Sequence, residues 1–211
     1  MYSPEYFQEN NAAVVMDFMK QNSFAMLCAC DKSNKPVATQ VPFLIEEREG
    51  KLVLTGHIQR KTDHHLALEQ NPNVLVLFTG AHTYVSASWY TTPQVASTWN
   101  YMSVQAKGKI TFLEENDLRH ILQRITALYE NNPHSTALYE KMPEEYIARQ
   151  LKAIIGFEIE VSELSNTFKL SQNRDAVSYK NIIHQLKESK DPGALGIAEE
   201  MEKRREWGND E

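Results

Sequence analysis

The 211-residue sequence has no run of about 18 consecutive apolar residues, which excludes a transmembrane helix. Its first five residues also lack the basic and apolar regions of a secretory signal. Hydrophobic residues make up 42% of the chain and charged residues 24%, which excludes a disordered or fibrous protein. We therefore expect a cytoplasmic globular protein that does not bind a membrane.

Cysteine is scarce. Only Cys28 and Cys30 are present, which is too few for a disulfide framework. No second cysteine pair or histidine pair completes a zinc site, and we expect no metal. Because the two cysteines are two residues apart in an apolar run, they lie on one face of a predicted strand. This pattern favours buried structural thiols, with a redox role as the alternative.

Positive charge is in deficit: 22 lysines and arginines stand against 28 acidic residues, a net charge of −6. Affinity for nucleic acid comes mostly from clustered cations that neutralise phosphates. The one dense basic run, residues 203–205, is flanked by glutamates, which favours a solvated helix face with ion pairs. No helix-turn-helix is evident either. DNA stays open as a partner, although neither charge nor motif supports it.

Hydrophobic periodicity predicts a mainly β fold with added helices, an α+β protein. The predicted strands are residues 25–30, 37–45, 51–56, 74–78, 83–90, 101–113, 155–161 and 168–171, and the predicted helices are 8–20, 63–70, 118–128, 144–151, 175–188 and 194–205. Two polar turns join the first three strands, which predicts an antiparallel meander. So many strands with few crossover helices fit a barrel. We expect a single domain over residues 1–211, with helical additions at about 115–151 and 175–206.

Several common active-site motifs are missing. The sequence has neither G-x-G-x-x-G nor G-x-x-x-x-G-K-[ST], so a Rossmann site or a P-loop is not expected. It also lacks the G-x-S-x-G elbow of hydrolases, and its histidines are scattered. No catalytic constellation can be named from the residues alone.

Pro42 interrupts the second predicted strand. Proline has no N–H group for a strand ladder, so this position is expected at a sheet edge or a bulge. Backbone groups at such a place are able to face a ligand.

A basic segment follows the third predicted strand. His57 is followed by Arg60 and Lys61, just before a helix that Thr62 or Asp63 can cap. An arginine fork, a lysine point charge and free backbone N–H groups at a helix N-terminus are what a phosphate group needs. The alternative is a solvated basic turn.

Three further clusters are unusually polar or aromatic. Ser86, Ser88 and Tyr90 share one face of a predicted strand, where hydroxyls face either ligand oxygens or water. Trp99 offers a flat surface for a planar ligand, or it packs in the core. The segment KLSQNR at residues 169–174 carries more amides and cations than a buried connection needs.

Six motifs in this order resemble the PaiB family, FMN-binding proteins described as negative transcriptional regulators. They are YSPEYF at residues 2–7, ATQVPFL at 38–44, GH at 56–57 with Arg60, YVSASWY at 84–90, TWNY at 98–101 and KLSQNR at 169–174. The resemblance covers the chain from Tyr2 to about Ile183. The sequence departs from the family pattern at Gln59, where a small residue is expected, at Thr62-Asp63, where Asn-Pro is expected, and at Ala87, which replaces a proline.

The resemblance implies a split β-barrel of the pyridoxamine-phosphate-oxidase type, which is usually a homodimer with FMN at the subunit interface. By the matching motifs, Arg60 and Lys61 are the leading phosphate ligands, and a strand segment borders the isoalloxazine ring. The residues that the resemblance assigns to the cofactor are Thr39, Val41, Phe43, His57, Arg60, Lys61, Ser86, Ser88, Trp99, Asn100, Lys169, Gln172 and Asn173. Lys169, Gln172 and Asn173 are expected to reach the flavin from the same or the partner subunit.

Three functions follow as hypotheses. The first is an FMN-binding regulator of the PaiB type. The second is an FMN-dependent oxidoreductase or a haem-handling enzyme of the wider split-barrel superfamily, in which the flavin supplies the redox chemistry. The third is an interaction module that has lost its cofactor, because the departures at Gln59 and Thr62-Asp63 fall beside the predicted phosphate ligands.

Overall fold

The structure is a computed structural model that describes residues 4–205, with the side chain of Arg205 left out. Tyr2 and Ser3 of the first family motif lie outside the described residues. The strands are β1 (Phe24–Cys30), β2 (Pro36–Pro42), β3 (Leu44–Arg48), β4 (Lys51–Gln59), β5 (Asn73–Val85), β6 (Thr98–Phe112) and β7 (Ile154–Lys169). They form a seven-stranded sheet in the order β2-β1-β5-β6-β7-β4-β3.

Six α-helices accompany the sheet within the described residues. They are α1 (Ala12–Gln21), α2 (Asp63–Gln70), α3 (Glu115–Glu130), α4 (Glu144–Leu151), α5 (Ala176–Lys187) and α6 (Pro192–Arg205). All six predicted helices are present. The first begins later than predicted because the side chain of Asn11 accepts a hydrogen bond from the Ala13 N–H (3.0 Å) and caps the helix there. Within residues 4–205, no helix is long and apolar enough to cross a membrane.

Two pairs of predicted strands are single strands in the structure. Residues 74–78 and part of 83–90 belong to β5, and residues 155–161 and part of 168–171 belong to β7. The prediction of separate strands was wrong because the intervening polar segments suggested loops. In the structure these segments continue the strands, with side chains that are mostly exposed or half-buried.

The chain forms two compact units. The first contains the described residues of Met1–Phe18, Thr79–Val104 and Ser165–Glu211, and the second contains Met19–Phe78 and Gln105–Leu164. Strands β5, β6 and β7 contribute residues to both units. The expectation of a single domain over residues 1–211 stays a prediction.

The predicted meander of the first three strands is wrong in one respect. β1 pairs with β2 and β3 pairs with β4, both antiparallel, but β2 and β3 stand at the two ends of the strand order. The predicted strand 37–45 divides at Phe43, because the residues up to Pro42 pair with β1 and those from Leu44 pair with β4. The Phe43 N–H makes the last bond to the β1 side, to the Ser23 carbonyl (2.9 Å). Pro42 therefore ends an edge strand, which confirms the position predicted for it.

The core of the second unit is built on aromatic rings around this break. Phe43 is 1% exposed, and its ring centroid lies 5.9 Å from that of Phe78 and 5.8 Å from that of Phe157. A Cβ atom at Gly56 would lie 2.9 Å from the Phe157 ring and 3.1 Å from the Pro42 carbonyl oxygen. Glycine at this position allows the end of β2 to approach β4.

The close approach of β6 to β7 gives a prediction for stability. A Cβ atom at Gly108 would overlap the backbone oxygen of Glu160, so Gly108→Ala must push two strands apart. We expect a loss of about 2 kcal/mol, within the usual range for overpacking, and a Tm lower by roughly 4–8 °C in thermal denaturation. The exposed neighbour variant Lys109→Ala is the control and should stay close to the wild type. An unchanged Tm in Gly108→Ala would contradict the close approach of β6 to β7 at this position.

Candidate functional site

The predicted phosphate ligands lie between β4 and α2 in the second unit. We call Arg60, Lys61 and the first turn of α2 the basic turn. Thr62 caps α2 as predicted: its Oγ1 accepts from the His65 N–H (3.2 Å) and donates to the Gln59 carbonyl (3.1 Å). Lys61 adopts a left-handed φ of 63°, and its N–H donates to His65 Nδ1 (3.3 Å). These bonds hold the two cations in a fixed turn at the start of a helix.

Arg60 is exposed but anchored at its base. Its N–H donates to the Ala153 carbonyl and its Nε to the Ile154 carbonyl, both at 2.8 Å. The terminal guanidinium nitrogens make no hydrogen bond within residues 4–205. Lys61 is also exposed. The arrangement therefore offers a guanidinium fork and an ammonium group beside a helix N-terminus, where the backbone N–H groups favour an anion.

One acidic residue opposes an anion at the basic turn. Asp63 is the first residue of α2, and its Oδ1 accepts from the His64 N–H (2.8 Å). Its carboxylate occupies a backbone donor that a phosphate would use and adds a negative charge at the same helix end. The departure from the family pattern at Asp63 therefore weakens an anion site without removing it.

α2 is tied to the edge strand β2 by a buried histidine. His64 is 2% exposed, and its Nδ1 forms a hydrogen bond of 2.8 Å with Thr39 Oγ1. Burial lowers the pKa of His64 by more than the neighbouring Asp63 raises it, so the ring is neutral at pH 7. Sequence reasoning missed this contact because adjacent histidines on a helix point in different directions and no local pattern names their partners.

Val41 and Phe43 are placed differently from Thr39. Both side chains are buried in the core, at 5% and 1% exposure. A ligand beside this strand would therefore meet their backbone groups only. β2 is an edge strand that pairs with β1 alone, so backbone groups on its other side are outside the sheet ladder.

His57 of β4 faces a cavity rather than the basic turn. This cavity, of about 240 Å³, lies beneath α3 and α4 and is also lined by Ile154 of β7; we call it the His57 cavity. Burial lowers the pKa of His57. The assignment of His57 to the cofactor stays a prediction.

The serine cluster of the first unit is not on a strand. β5 ends at Val85, and a short 3₁₀ helix covers Ala87–Trp89, so the predicted strand face with Ser86, Ser88 and Tyr90 is wrong. The cause is local: Ser86 Oγ accepts from the Ser88 N–H (3.2 Å) and caps the turn, and the Ser97 hydroxyl accepts from the Ala87 N–H (2.9 Å). The hydroxyl groups of Ser86 and Ser88 form a hydrogen bond of 2.8 Å with each other.

Trp99 lines an open cavity of about 340 Å³ in the first unit. The Trp99 ring is 53% exposed and lies 6.2 Å from the His82 ring and 6.1 Å from the Tyr84 ring, between centroids. Sequence reasoning found Trp99 but missed His82, because that residue belongs to no motif. An exposed group of aromatic rings offers a stacking surface to a planar molecule.

The remaining predicted residues of the first unit make internal bonds. Asn100 is fully buried and accepts from the Ser171 hydroxyl (3.0 Å). Lys169 donates to Thr98 Oγ1, and burial together with the nearby Arg174 lowers its pKa. The Gln172 side chain accepts from the Leu170 N–H (2.7 Å) and donates to the Phe168 carbonyl. Asn173 is exposed.

Within the described residues, no group of three or more His, Cys, Asp or Glu side chains is arranged to hold a metal ion. At the basic turn and in the Trp99 cavity, predicted site residues present exposed side chains that a ligand can contact. The first is suited to an anion and the second to a planar ring.

Comparison with known proteins agrees with this chemistry. A family described as "Putative FMN-binding domain" matches residues 1–163. The chain is 35% identical over 202 residues to the "Protease synthase and sporulation protein PAI 2" of Bacillus subtilis (strain 168), which covers 96% of this chain and 97% of that protein.

Solved structures show the fold. The FAD and heme binding protein from Mycobacterium smegmatis has a TM-score of 0.56 and 16% identity, covering 82% of this chain and 78% of that chain. A "putative 5-nitroimidazole antibiotic resistance protein" from Bacteroides thetaiotaomicron VPI-5482 has the same TM-score, 0.56, and 16% identity, covering 75% of this chain and 84% of that chain. These likenesses concern the fold alone, and they confirm the predicted mainly β fold of the split-barrel type with added helices.

The buried neutral histidine predicts a pH dependence of stability. The pKa of His64 lies below the ordinary value of 6.5 in the folded chain, so the unfolded chain binds more protons below that pH. The contribution of His64 to the free energy of unfolding should therefore be fully present above about pH 6.5. It should decrease as the pH falls toward the pKa of His64 in the folded chain. Asparagine can replace the Nδ1 contact without titrating, so His64→Asn should show a smaller loss between about pH 7.5 and pH 5.5 in urea unfolding.

The exposed His134→Asn is the control for this experiment and should lose as much stability on acidification as the wild type. Equal losses in His64→Asn and the wild type would show that His64 does not carry the effect.

Proposed function

The chain belongs to the PaiB family of FMN-binding-domain proteins, and we propose that it binds FMN with the phosphate on the basic turn. The observation that carries this proposal is the pair of exposed cations, Arg60 and Lys61, fixed beside the N-terminus of α2. Arginine binds a phosphate through two parallel hydrogen bonds and lysine adds a point charge. The same turn would have no evident use for a neutral ligand.

In this proposal the edge of β2 borders the isoalloxazine ring. Thr39, Val41 and Phe43 lie on or directly after this strand, and the backbone groups of the segment that do not pair with β1 would contact the polar edge of a flavin. The Phe43 N–H is not one of these groups, because it donates to the Ser23 carbonyl. The His64–Thr39 hydrogen bond connects this edge to the helix that carries the basic turn. His57 is not included, because it lines the His57 cavity, whose lining residues do not include Arg60 or Lys61.

The remaining predicted contacts are in the first unit. We include Ser86, Ser88, Trp99, Asn100, Lys169, Gln172 and Asn173, from the same or the partner subunit. Trp99 has the strongest support because its ring is exposed. Asn100 and Gln172 are already bonded within the protein, so their expected role is to shape the pocket.

The proposal includes a homodimer. β1 and β5 carry an uncharged apolar face on which Met26 is opposite Leu77 and Cys28 is opposite Leu75, with Phe24 59% exposed beside them. A two-fold interface needs a patch that complements itself, which an uncharged apolar face does. Light scattering should give twice the chain mass, and a monomer at micromolar concentration would contradict this part.

The proposal also includes a regulatory role, which the resemblance to PaiB implies, and a cytoplasmic location, but it does not include direct DNA contact. In the basic run 203–205, Lys203 and Arg204 are both paired with Glu200. This agrees with the predicted ion-paired helix face. The net charge of −6 leaves regulation through a protein partner as the form that fits the chain.

Removing the two cations tests the proposed function. Hydrogen bonds to charged groups contribute about 1.5–3 kcal/mol each, so Arg60→Ala with Lys61→Ala should raise the Kd for FMN at least about tenfold. Quenching of flavin fluorescence on titration measures this. The matched control is Lys32→Ala with Lys35→Ala, which removes two exposed cations from the β1–β2 turn. Equal Kd values for the double variant and the wild type would place the phosphate elsewhere.

The carboxylate at the basic turn gives an independent prediction. Asp63→Asn removes a negative charge next to the proposed phosphate, so the Kd for FMN should fall by about two- to fivefold, the size expected for exposed charges. Raising the salt concentration should reduce this gain. Glu145→Gln, an exposed change on α4, should leave the Kd unchanged. Weaker FMN binding in Asp63→Asn would contradict the placement of the phosphate.

A further inference from the structure

The His57 cavity is a partly open space within the second unit, and its lining does not include Arg60 or Lys61 of the basic turn. Its walls include Leu122 of α3, Met142, and Tyr146 and Gln150 of α4, together with Tyr139. Its volume of about 240 Å³ is below the roughly 300–1,000 Å³ of sites for drug-sized ligands. The cavity therefore fits a molecule about the size of a substituted benzene and not a mononucleotide.

His57 lines the cavity and also has an unsatisfied polar atom next to it. Its Nδ1 is buried and has no hydrogen-bond partner among the described residues. More than about nine in ten buried polar groups have a partner, so each exception calls for a bound molecule or a specific role. The ring is one donor and one acceptor when neutral, the form that burial favours here.

No residue that lines the cavity carries a charge when His57 is neutral. A charged ligand would lose part of its hydration at these walls without contacting an opposite charge on a lining residue, which is unfavourable. A neutral ligand loses little hydration free energy when it enters the cavity. The walls thus select against carboxylates, phosphates and ammonium groups.

Two arginines outside the lining hold the aromatic walls in place. Arg119 Nη1 donates to the Tyr139 hydroxyl (3.3 Å), which leaves the hydroxyl proton of Tyr139 available as a donor. The guanidinium of Arg149 lies 5.5 Å from the centroid of the Tyr146 ring. Arg119 is itself held by Glu115 and Glu144. The cavity is therefore a prearranged pocket in which flat aromatic and aliphatic walls alternate with uncharged hydrogen-bonding side chains, which are His57, Thr126, Tyr139, Tyr146 and Gln150.

We propose that the His57 cavity is a binding site for a small neutral aromatic molecule with one hydrogen-bonding group, anchored by His57. The ligand class follows from the volume, the uncharged lining residues, the tyrosine rings and the imidazole ring that lines the cavity. This site is separate from the proposed FMN site, and it gives His57 a different role from the cofactor contact that the family resemblance implies.

Three probes of the same shape and different charge test the proposal: benzamide, benzoate and benzylammonium. The full-length protein is titrated with each, and the ring nitrogens of its histidines are followed by long-range proton–nitrogen NMR. Benzamide should shift the His57 resonance saturably at millimolar concentration, and the two charged probes should bind at least about tenfold more weakly. No saturable shift, which would mean a cavity filled by water only, or equal binding of all three probes overturns the proposal.

Variants locate the site and separate it from FMN binding. His57→Leu should weaken benzamide binding at least about tenfold by calorimetry, and the exposed control His134→Leu should not. If His57→Leu does not fold, Met142→Trp decides, because a bulky ring at this half-buried wall position should block benzamide. The affinity for FMN should be unchanged in both His57→Leu and Met142→Trp. Loss of FMN binding in His57→Leu alone would assign His57 to the flavin and overturn the proposal, whereas a wild type that binds benzamide but no FMN would contradict only the proposed function.

Discussion

The hydrogen bond between the buried imidazole of His64 and the hydroxyl of Thr39 joins α2 to β2. The cations of the basic turn come directly before this helix, so the bond connects the turn, which the Thr62 cap fixes locally, to the edge strand. Burial at 2% exposure favours the neutral form of this imidazole, because the hydration that a charged ring would lose outweighs the attraction of the Asp63 carboxylate. The proposed phosphate site is therefore exposed, while the contact that joins it to β2 is buried and sensitive to acid.

A second constraint acts on the sheet. The chain leaves β2 at Pro42 and enters β3 at Leu44, and the single residue between them, Phe43, is fixed by its ring in the core. This break places β2 at an edge, where its backbone is available to a flavin. Gly56 permits the approach because any side chain there would meet the Phe157 ring and the Pro42 carbonyl. The absence of a side chain at Gly56 and of an N–H group at Pro42 thus determines how the strands lie around the proposed site.

Much of this architecture could be predicted from local pattern. The cap at Thr62, the edge position of Pro42 and all six helices follow from residues that act on their immediate neighbours. The meander and the strand face with Ser86 could not be predicted correctly, because strand partners are chosen by packing across the chain and a serine hydroxyl can cap a turn instead. The Thr39–His64 contact joins residues 25 positions apart, and no motif signals it. The His57 cavity depends on helices that lie more than 60 residues further along the chain, which is why sequence reasoning assigned His57 only through family resemblance.

The central claim is that the basic turn recognises the phosphate of FMN and not the ring system. The most direct test compares FMN with riboflavin, which has the same ring but no phosphate, in the wild type and in the chain without both cations of the basic turn. The account predicts that the wild type binds FMN at least about tenfold more tightly than riboflavin and that this preference largely disappears when the cations are removed. A preference for FMN that survives their removal would contradict the account.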